Sequence, residues 1–288
     1  MRLSEPEASG YAGKGLKEIN DSNSSLPSGE LDQESRVKID VVVLMAGKGR
    51  RLLPLTKDRP KAILLCEDGM SIFEHIVRSF LTCNWEPTFI PVIGHGRLKV
   101  YEELDRLASL ARYAPVMNPF YASAGPLVSL WLGLLQSKND KVVILNGDTL
   151  IRESLVADLA RWILKSGESN RPDVGVCVTP AVHTNPDDMK IKLSKMGRFQ
   201  RAAKDIAPGA NVVKSAGVIA LKNLLSRDAL KRKVDELLMA EEALNARYYW
   251  HYILNEIKGT LDIDLIEVKP DSWYEVDTNF DLNHYQNA

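Results

Sequence analysis

The chain has 288 residues, enough for one large domain or two small ones. Hydrophobic residues are 45% and charged residues 26%, the composition of a globular protein with a sizeable core. With 37 Lys and Arg against 38 Asp and Glu the net charge is −1, which excludes the dominant basic field of a bulk nucleic-acid binder; no apolar run nears the ~18 residues of a membrane span either.

The start of the chain has no apolar secretory core, so export is not expected. Three cysteines, Cys66, Cys83 and Cys177, show no CxxC spacing, which argues against a disulfide framework or a structural zinc. The expected setting is the reducing cytoplasm. Residues 1–37 carry seven serines, four glycines and few large apolar groups. Such a stretch buries too little surface to offset its ordering entropy, so a disordered tail is expected. A misassigned start or an appended segment fits the same composition.

The folded domain is expected over 38–288. Ile39–Met45 is a β-branched, almost continuously apolar run, the mark of a strand covered on both faces. Ser71–Cys83 places Ile72, Ile76, Val77 and Phe80 at helical spacing. Phe89–Ile93 reads as a strand, with Pro91 favouring an edge or a strand end. Pro126–Gln136 is a second helix, Lys141–Leu145 a strand, Leu155–Leu164 a third helix and Val174–Val178 another buried strand. Then come a half-solvated strand at Met189–Leu193, a turn into a strand at Met196–Phe199, a strand at Lys214–Leu221 and a helix at Lys231–Ala246. Strands alternating with helices imply an α/β fold, a mostly parallel sheet between two helical layers.

Directly after the first strand stands Ala46-Gly47-Lys48-Gly49-Arg50-Arg51. Glycines let backbone N–H groups approach phosphate oxygens, and arginine binds them bidentately. A plain tight turn also explains the glycines. The dinucleotide fingerprint fails, since Leu52 stands where a third glycine belongs, and no Walker A loop is present. Asp148 follows the strand ending at Leu145 and so sits on the ligand-binding edge of a parallel sheet, placed to hold Mg²⁺ or to cap the next helix. Glu275 and Asp277 alternate with Tyr274 and Val276, so both carboxylates share one face of an extended segment.

The stretch Gly47-x-Gly49-x-Arg51-x-x-Pro54-x-Thr56-x-x-x-Pro60-Lys61 resembles the signature of nucleotidyltransferases that join an NTP to a phosphorylated small molecule. The sugar-1-phosphate nucleotidyltransferases and bacterial phosphocholine cytidylyltransferases belong there. Arg50 departs from it, standing where a small hydroxyl residue is usual. Gly147-Asp148 and Glu275-x-Asp277-Thr278 with Asp281-Leu282 resemble the family's two metal-binding segments. Asn118-Pro119-Phe120-Tyr121, Ser129-Leu130-Trp131 and Asp188-Met189-Lys190 look more like the cytidylyltransferase branch, although Ala124 and Gly125 replace its usual asparagines.

The resemblance implies a three-layer α/β/α Rossmann-like nucleotidyltransferase fold and a set of roles. Met45, Ala46, Gly47, Gly49, Arg51, Lys61, Ser123, Ala124 and Gly125 would bind the nucleotide, with Arg51 and Lys61 catalytic. Asp148, Asp277 and Glu275 would hold Mg²⁺. Lys190, Lys204, Tyr121 and Trp131 would meet the acceptor. The implied reaction moves CMP from CTP to a phosphocholine-like, aminoalkylphosphonate or hydroxyalkylphosphonate acceptor and releases pyrophosphate. A sugar-1-phosphate nucleotidyltransferase using UTP, dTTP or GTP is the alternative, and a non-catalytic nucleotide sensor is a rival of another class. No nucleic-acid or membrane partner is expected, and the sequence does not fix the oligomeric state, with which a homodimer is compatible.

Overall fold

A computed structural model describes residues 36–165, 173–182, 184–240 and 249–284. The tail expected over 1–37 lies outside them as far as residue 35, as does the end of the helix expected to reach Ala246. Among the described residues ten strands form one sheet. They are β1 (Val37–Leu44), β2 (Trp85–Ile93), β3 (Arg112–Tyr113), β4 (Val116–Met117), β5 (Lys141–Asn146), β7 (Asp173–Pro180), β8 (Lys190–Leu193), β9 (Phe199–Ala203), β10 (Val212–Leu221) and β11 (Asp262–Glu267). A separate pair joins β6 (Thr149–Ile151) to β12 (Trp273–Glu275).

The main order is β11-β7-β10-β5-β1-β2-β3. β1 pairs in parallel with both β2 and β5, whereas β10 runs antiparallel to its neighbours β5 and β7. The sheet is therefore mixed and mostly parallel. β2 is not an edge strand, contrary to the expectation from Pro91. It pairs with β1 from Trp85 to Val92, and on its other side it meets β3 at Thr88–Phe89 and β4 at Val92–Ile93. Pro91 falls in the gap between those two short partners, where its missing N–H breaks no ladder.

Each sheet face buries its own core. On one face Ile39, Val41 and Val43 of β1 pack with α1 (Ile72–Leu81), α2 (Arg97–Arg106) and α4 (Glu153–Leu164). On the other, Val42 packs with α3 (Pro126–Gln136), α5 (Leu224–Met239) and α6 (Ile253–Ile257). The continuous apolar run of β1 reflects burial on both sides. Ser71 caps α1 by accepting the Glu74 N–H at 3.0 Å.

The chain leaves β1 through α1 to β2 on one side, then crosses through α3 to β5 on the other. The order of the sheet thus reverses between β1 and β5, and in open α/β sheets ligands bind beyond the carboxyl ends of the strands at such a point. No helix among the described residues is long and apolar enough to cross a membrane.

Candidate active site

Two loops meet at this reversal, 45–52 after β1 and 147–148 after β5. The Gly147 N–H donates to the Leu44 carbonyl at 3.0 Å. A Cβ at Gly147 would lie 2.7 Å from the Met45 Cβ, so only glycine permits this approach. Gly49 adopts the left-handed φ of +56° and passes the chain into a single 3-10 turn, Arg50–Leu52. Thr56 Oγ1 donates to the Gly49 carbonyl at 2.8 Å. His95, which sequence reasoning missed, ties the same loop at two points. Its N–H donates to the Ala46 carbonyl at 3.0 Å, and its Nε2 lies 2.8 Å from the Thr56 carbonyl oxygen.

A second 3-10 turn, Lys61–Ile63, follows the extended Pro60 and aims Lys61 across the edge. Lys61 Nζ donates to Asp148 Oδ2 at 2.8 Å and to Asp277 Oδ1 at 2.9 Å. Burial works against its charge, but the charges and hydrogen bonds of Asp148 and Asp277 outweigh that and leave its pKa raised. Lys61 is an ammonium throughout the ordinary pH range.

The β6–β12 pair brings the two acidic segments together. Glu275 stands opposite Thr149, and the Val276 N–H donates to the Asp148 carbonyl at 2.9 Å. Carboxylate oxygens of Asp148, Glu275 and Asp277 lie within 4.8 Å of one another. Burial first, and then the charges of Asp148 and Asp277, push the Glu275 pKa up. Asp281 fixes the segment by accepting from the N–H of Asp277 at 2.8 Å, the N–H of Thr278 at 2.6 Å and the Tyr274 hydroxyl at 2.7 Å.

Arg51 grips Asp277 as a fork, Nη1 to Oδ2 at 3.0 Å and Nη2 to Oδ1 at 2.9 Å. Its Nη1 also reaches Asp187 Oδ2 at 3.2 Å, and Lys204 Nζ lies 3.5 Å from Asp187 Oδ1. Asp187 carries no motif in the sequence; only the fold puts it between two cations.

Other expected residues make their contacts elsewhere. Lys190 is buried, and its Nζ reaches the Asn185 and Asp188 carbonyl oxygens at 3.4 and 3.3 Å. It supports the turn that carries Asp187 and Asp188. Tyr121 packs over Gly94, near Lys48 of the glycine loop. Ser123 and Ala124, before Gly125 and the Pro126 that opens α3, line a cleft of about 580 Å³. Trp131 lines the same cleft, and its Nε1 donates to Asp235 on α5 at 2.6 Å.

Comparison with known proteins bears on the fold and the family. The solved structures of similar fold include the inositol-1-phosphate CTP transferase from T. maritima. It superposes with a TM-score of 0.67 at 20% identity, over 86% of this chain and 92% of that one. The CTP:phosphocholine cytidylyltransferase LicC from Streptococcus pneumoniae superposes with a TM-score of 0.61 at 17% identity, over 85% and 96%. At such identities the likeness is one of fold, the Rossmann-like nucleotidyltransferase fold. A curated relative, the bifunctional protein GlmU of Methanococcus maripaludis, is 27% identical over 143 residues, 48% of this chain. The matched region is 32% of that relative's own length. Residues 41–207 match the family described as MobA-like NTP transferase domain, and the match takes in the glycine loop, Lys61, the 123–125 turn and Asp148. The chain belongs to the MobA-like NTP transferase domain family.

Proposed function

We propose that the chain is a cytidylyltransferase that moves CMP from CTP to a small phosphorylated or phosphonylated acceptor. The observation that carries this reading is the Lys61 ammonium held between Asp148 and Asp277, 2.8 and 2.9 Å away, beside a glycine loop at the sheet's point of reversal. A phosphate or phosphonate oxygen of the acceptor attacks the α-phosphorus of CTP. The bond from that phosphorus to the bridging oxygen breaks, and pyrophosphate leaves with its electron pair. An acceptor dianion needs no general base, and no covalent enzyme intermediate is required.

Asp148, Asp277 and Glu275 fit a divalent cation. Asp148 Oδ1 is buried with no hydrogen-bond partner among the described residues, and three carboxylates crowd one another with their charge only partly met by Lys61 and Arg51. When Mg²⁺ is bound, it supplies positive charge against the triphosphate. The remaining work belongs to the chain. Lys61 offers charge where the α-phosphate becomes five-coordinate, and Arg51 offers a fork that suits phosphate as well as carboxylate. Backbone N–H groups of Ala46–Gly49 cradle the phosphates, and the Ser123–Gly125 turn takes the base against main chain. Lys204 lies on the acceptor side.

Preference for CTP is supported by the Asn118–Tyr121, Ser129–Trp131 and Asp188–Lys190 elements and by two fold neighbours whose names state CTP use. Pyrophosphate release, measured for CTP, UTP, dTTP and GTP against a panel of acceptors, tests it. CTP is expected to be the productive nucleotide. Efficient turnover of UTP or dTTP with glucose 1-phosphate, and none of CTP, would transfer the case to a sugar-phosphate enzyme.

A further inference from the structure

Two aromatic rings linked to the carboxylate trio, the exposed Tyr249 and the half-buried Trp273, each carry a lysine ammonium from within the chain. Lys204 Nζ lies 4.0 Å from the centre of the Tyr249 ring. Lys214 Nζ lies 5.0 Å from the centre of the Trp273 ring, on β12 two residues before Glu275. A carboxylate pins each ammonium. Asp187 holds Lys204 at 3.5 Å, and the buried Asp188 holds Lys214 at 2.9 Å. Asp187 is joined to the trio through Arg51, which it meets at 3.2 Å and which grips Asp277.

These contacts bear on the acceptor. A quaternary or primary ammonium is recognised by an open aromatic face, to which the ring quadrupole draws it. Here it would have to break an ion pair and a cation–π contact at once, and it would meet a like charge. An ammonium that gives one N–H to a carboxylate has further donors for hydroxyl or phosphoryl oxygens. We propose that the acceptor has an uncharged or anionic body beyond its phosphate or phosphonate, and that Lys204 on Tyr249 and Lys214 on Trp273 exclude cationic acceptors such as phosphocholine. The proposal rests on the transfer reading above and narrows its acceptor class.

The test uses two acceptors of one shape and different body charge, phosphocholine and its neutral carbon isostere 3,3-dimethylbutyl phosphate. Equilibrium binding by calorimetry and CTP-dependent pyrophosphate release are measured separately on the full chain. The neutral isostere is expected to bind more tightly. Lys204→Ala removes the competing ammonium from the Tyr249 ring and should move the affinity ratio toward phosphocholine by roughly fivefold to thirtyfold, the range of a cation–π contact. Lys204→Gln is the second variant should the first fold poorly. Tighter binding of phosphocholine by the wild type, binding of neither compound, or an unmoved ratio in both variants would overturn the proposal. If the binding order holds while CTP yields no pyrophosphate with any acceptor, the transfer reading fails and the inference about charge stands.

Discussion

Lys61 Nζ donates to Asp277 Oδ1 at 2.9 Å although 216 positions separate the two residues in the chain. Asp148 accepts from the same ammonium, so one lysine links the first, middle and last segments of the domain. Asp277 also receives the Arg51 fork. The positive charges and the carboxylates of the site are therefore placed by one another.

Asp148→Asn and Asp277→Asn are each expected to lower kcat by about two to three orders of magnitude or more, the scale of losing a principal electrostatic group. Thermal unfolding should show both variants folded, because both side chains are only half-buried and asparagine keeps their volume. A rate near that of the wild type at ordinary Mg²⁺ would remove either residue from the site.

Lys61→Met should lower kcat by a similar factor and should also weaken the fold at neutral pH, because it leaves Asp148, Glu275 and Asp277 to repel one another. Added Mg²⁺ should then raise the melting temperature of the variant more than that of the wild type. Equal Mg²⁺ stabilisation of both proteins would contradict the shared placement of lysine and cation.

Gly147→Ala tests the approach of the two loops. The added methyl would sit 2.7 Å from the Met45 Cβ and 3.0 Å from the Leu44 carbonyl oxygen, so the loop carrying Asp148 must shift. A shift near 1 Å costs about a hundredfold in rate where geometry is demanding. Activity should fall far more than stability, as steady-state kinetics beside a denaturant melt would show. Full activity would mean that the loops are free to adjust.

The β1, β5 and β7 strands were legible because strands buried on both faces are apolar almost without a break. α1, α3 and α4 were legible from their apolar spacing. α2 was not, since only Val100 and Leu104 of Arg97–Arg106 are buried and the rest is mostly charged. β6 and β12 are three residues each, too short for any period, yet their pairing is what sets Glu275 beside Asp148. β11 alternates with acids, as an outer strand of the sheet does. Lys190 shows a different limit. The resemblance of Asp188-Met189-Lys190 to the cytidylyltransferase branch implies an acceptor contact, and the Lys190 ammonium is buried against the Asn185 and Asp188 carbonyls. Asp187 and His95 act through distance alone, which a sequence does not carry.

His251 gives the stability a pH dependence of its own. It is buried, and burial together with the charge of Lys204 holds its pKa down to about 3 against an ordinary 6.5. Its folded form resists protonation, so its contribution is present above about pH 6.5 and is lost as pH falls toward 3. Between pH 6.5 and 5 that loss is about 2 kcal/mol. Glu74 and Asp281 are held below their ordinary carboxyl values, so their contributions fade only at lower pH. Denaturant unfolding at pH 7, 6 and 5 should show a steeper fall for the wild type than for His251→Gln. Parallel slopes would show that His251 is protonated without penalty.

The most direct measurement is ³¹P NMR of CTP with an acceptor panel, Mg²⁺ and either the wild type or Asp148→Asn. A pyrophosphate-bridged CDP derivative and free pyrophosphate are expected in equal amounts, formed only with Mg²⁺ and at least a hundredfold more slowly by the variant. Release of CDP and inorganic phosphate, or an equal rate from Asp148→Asn, would contradict that expectation.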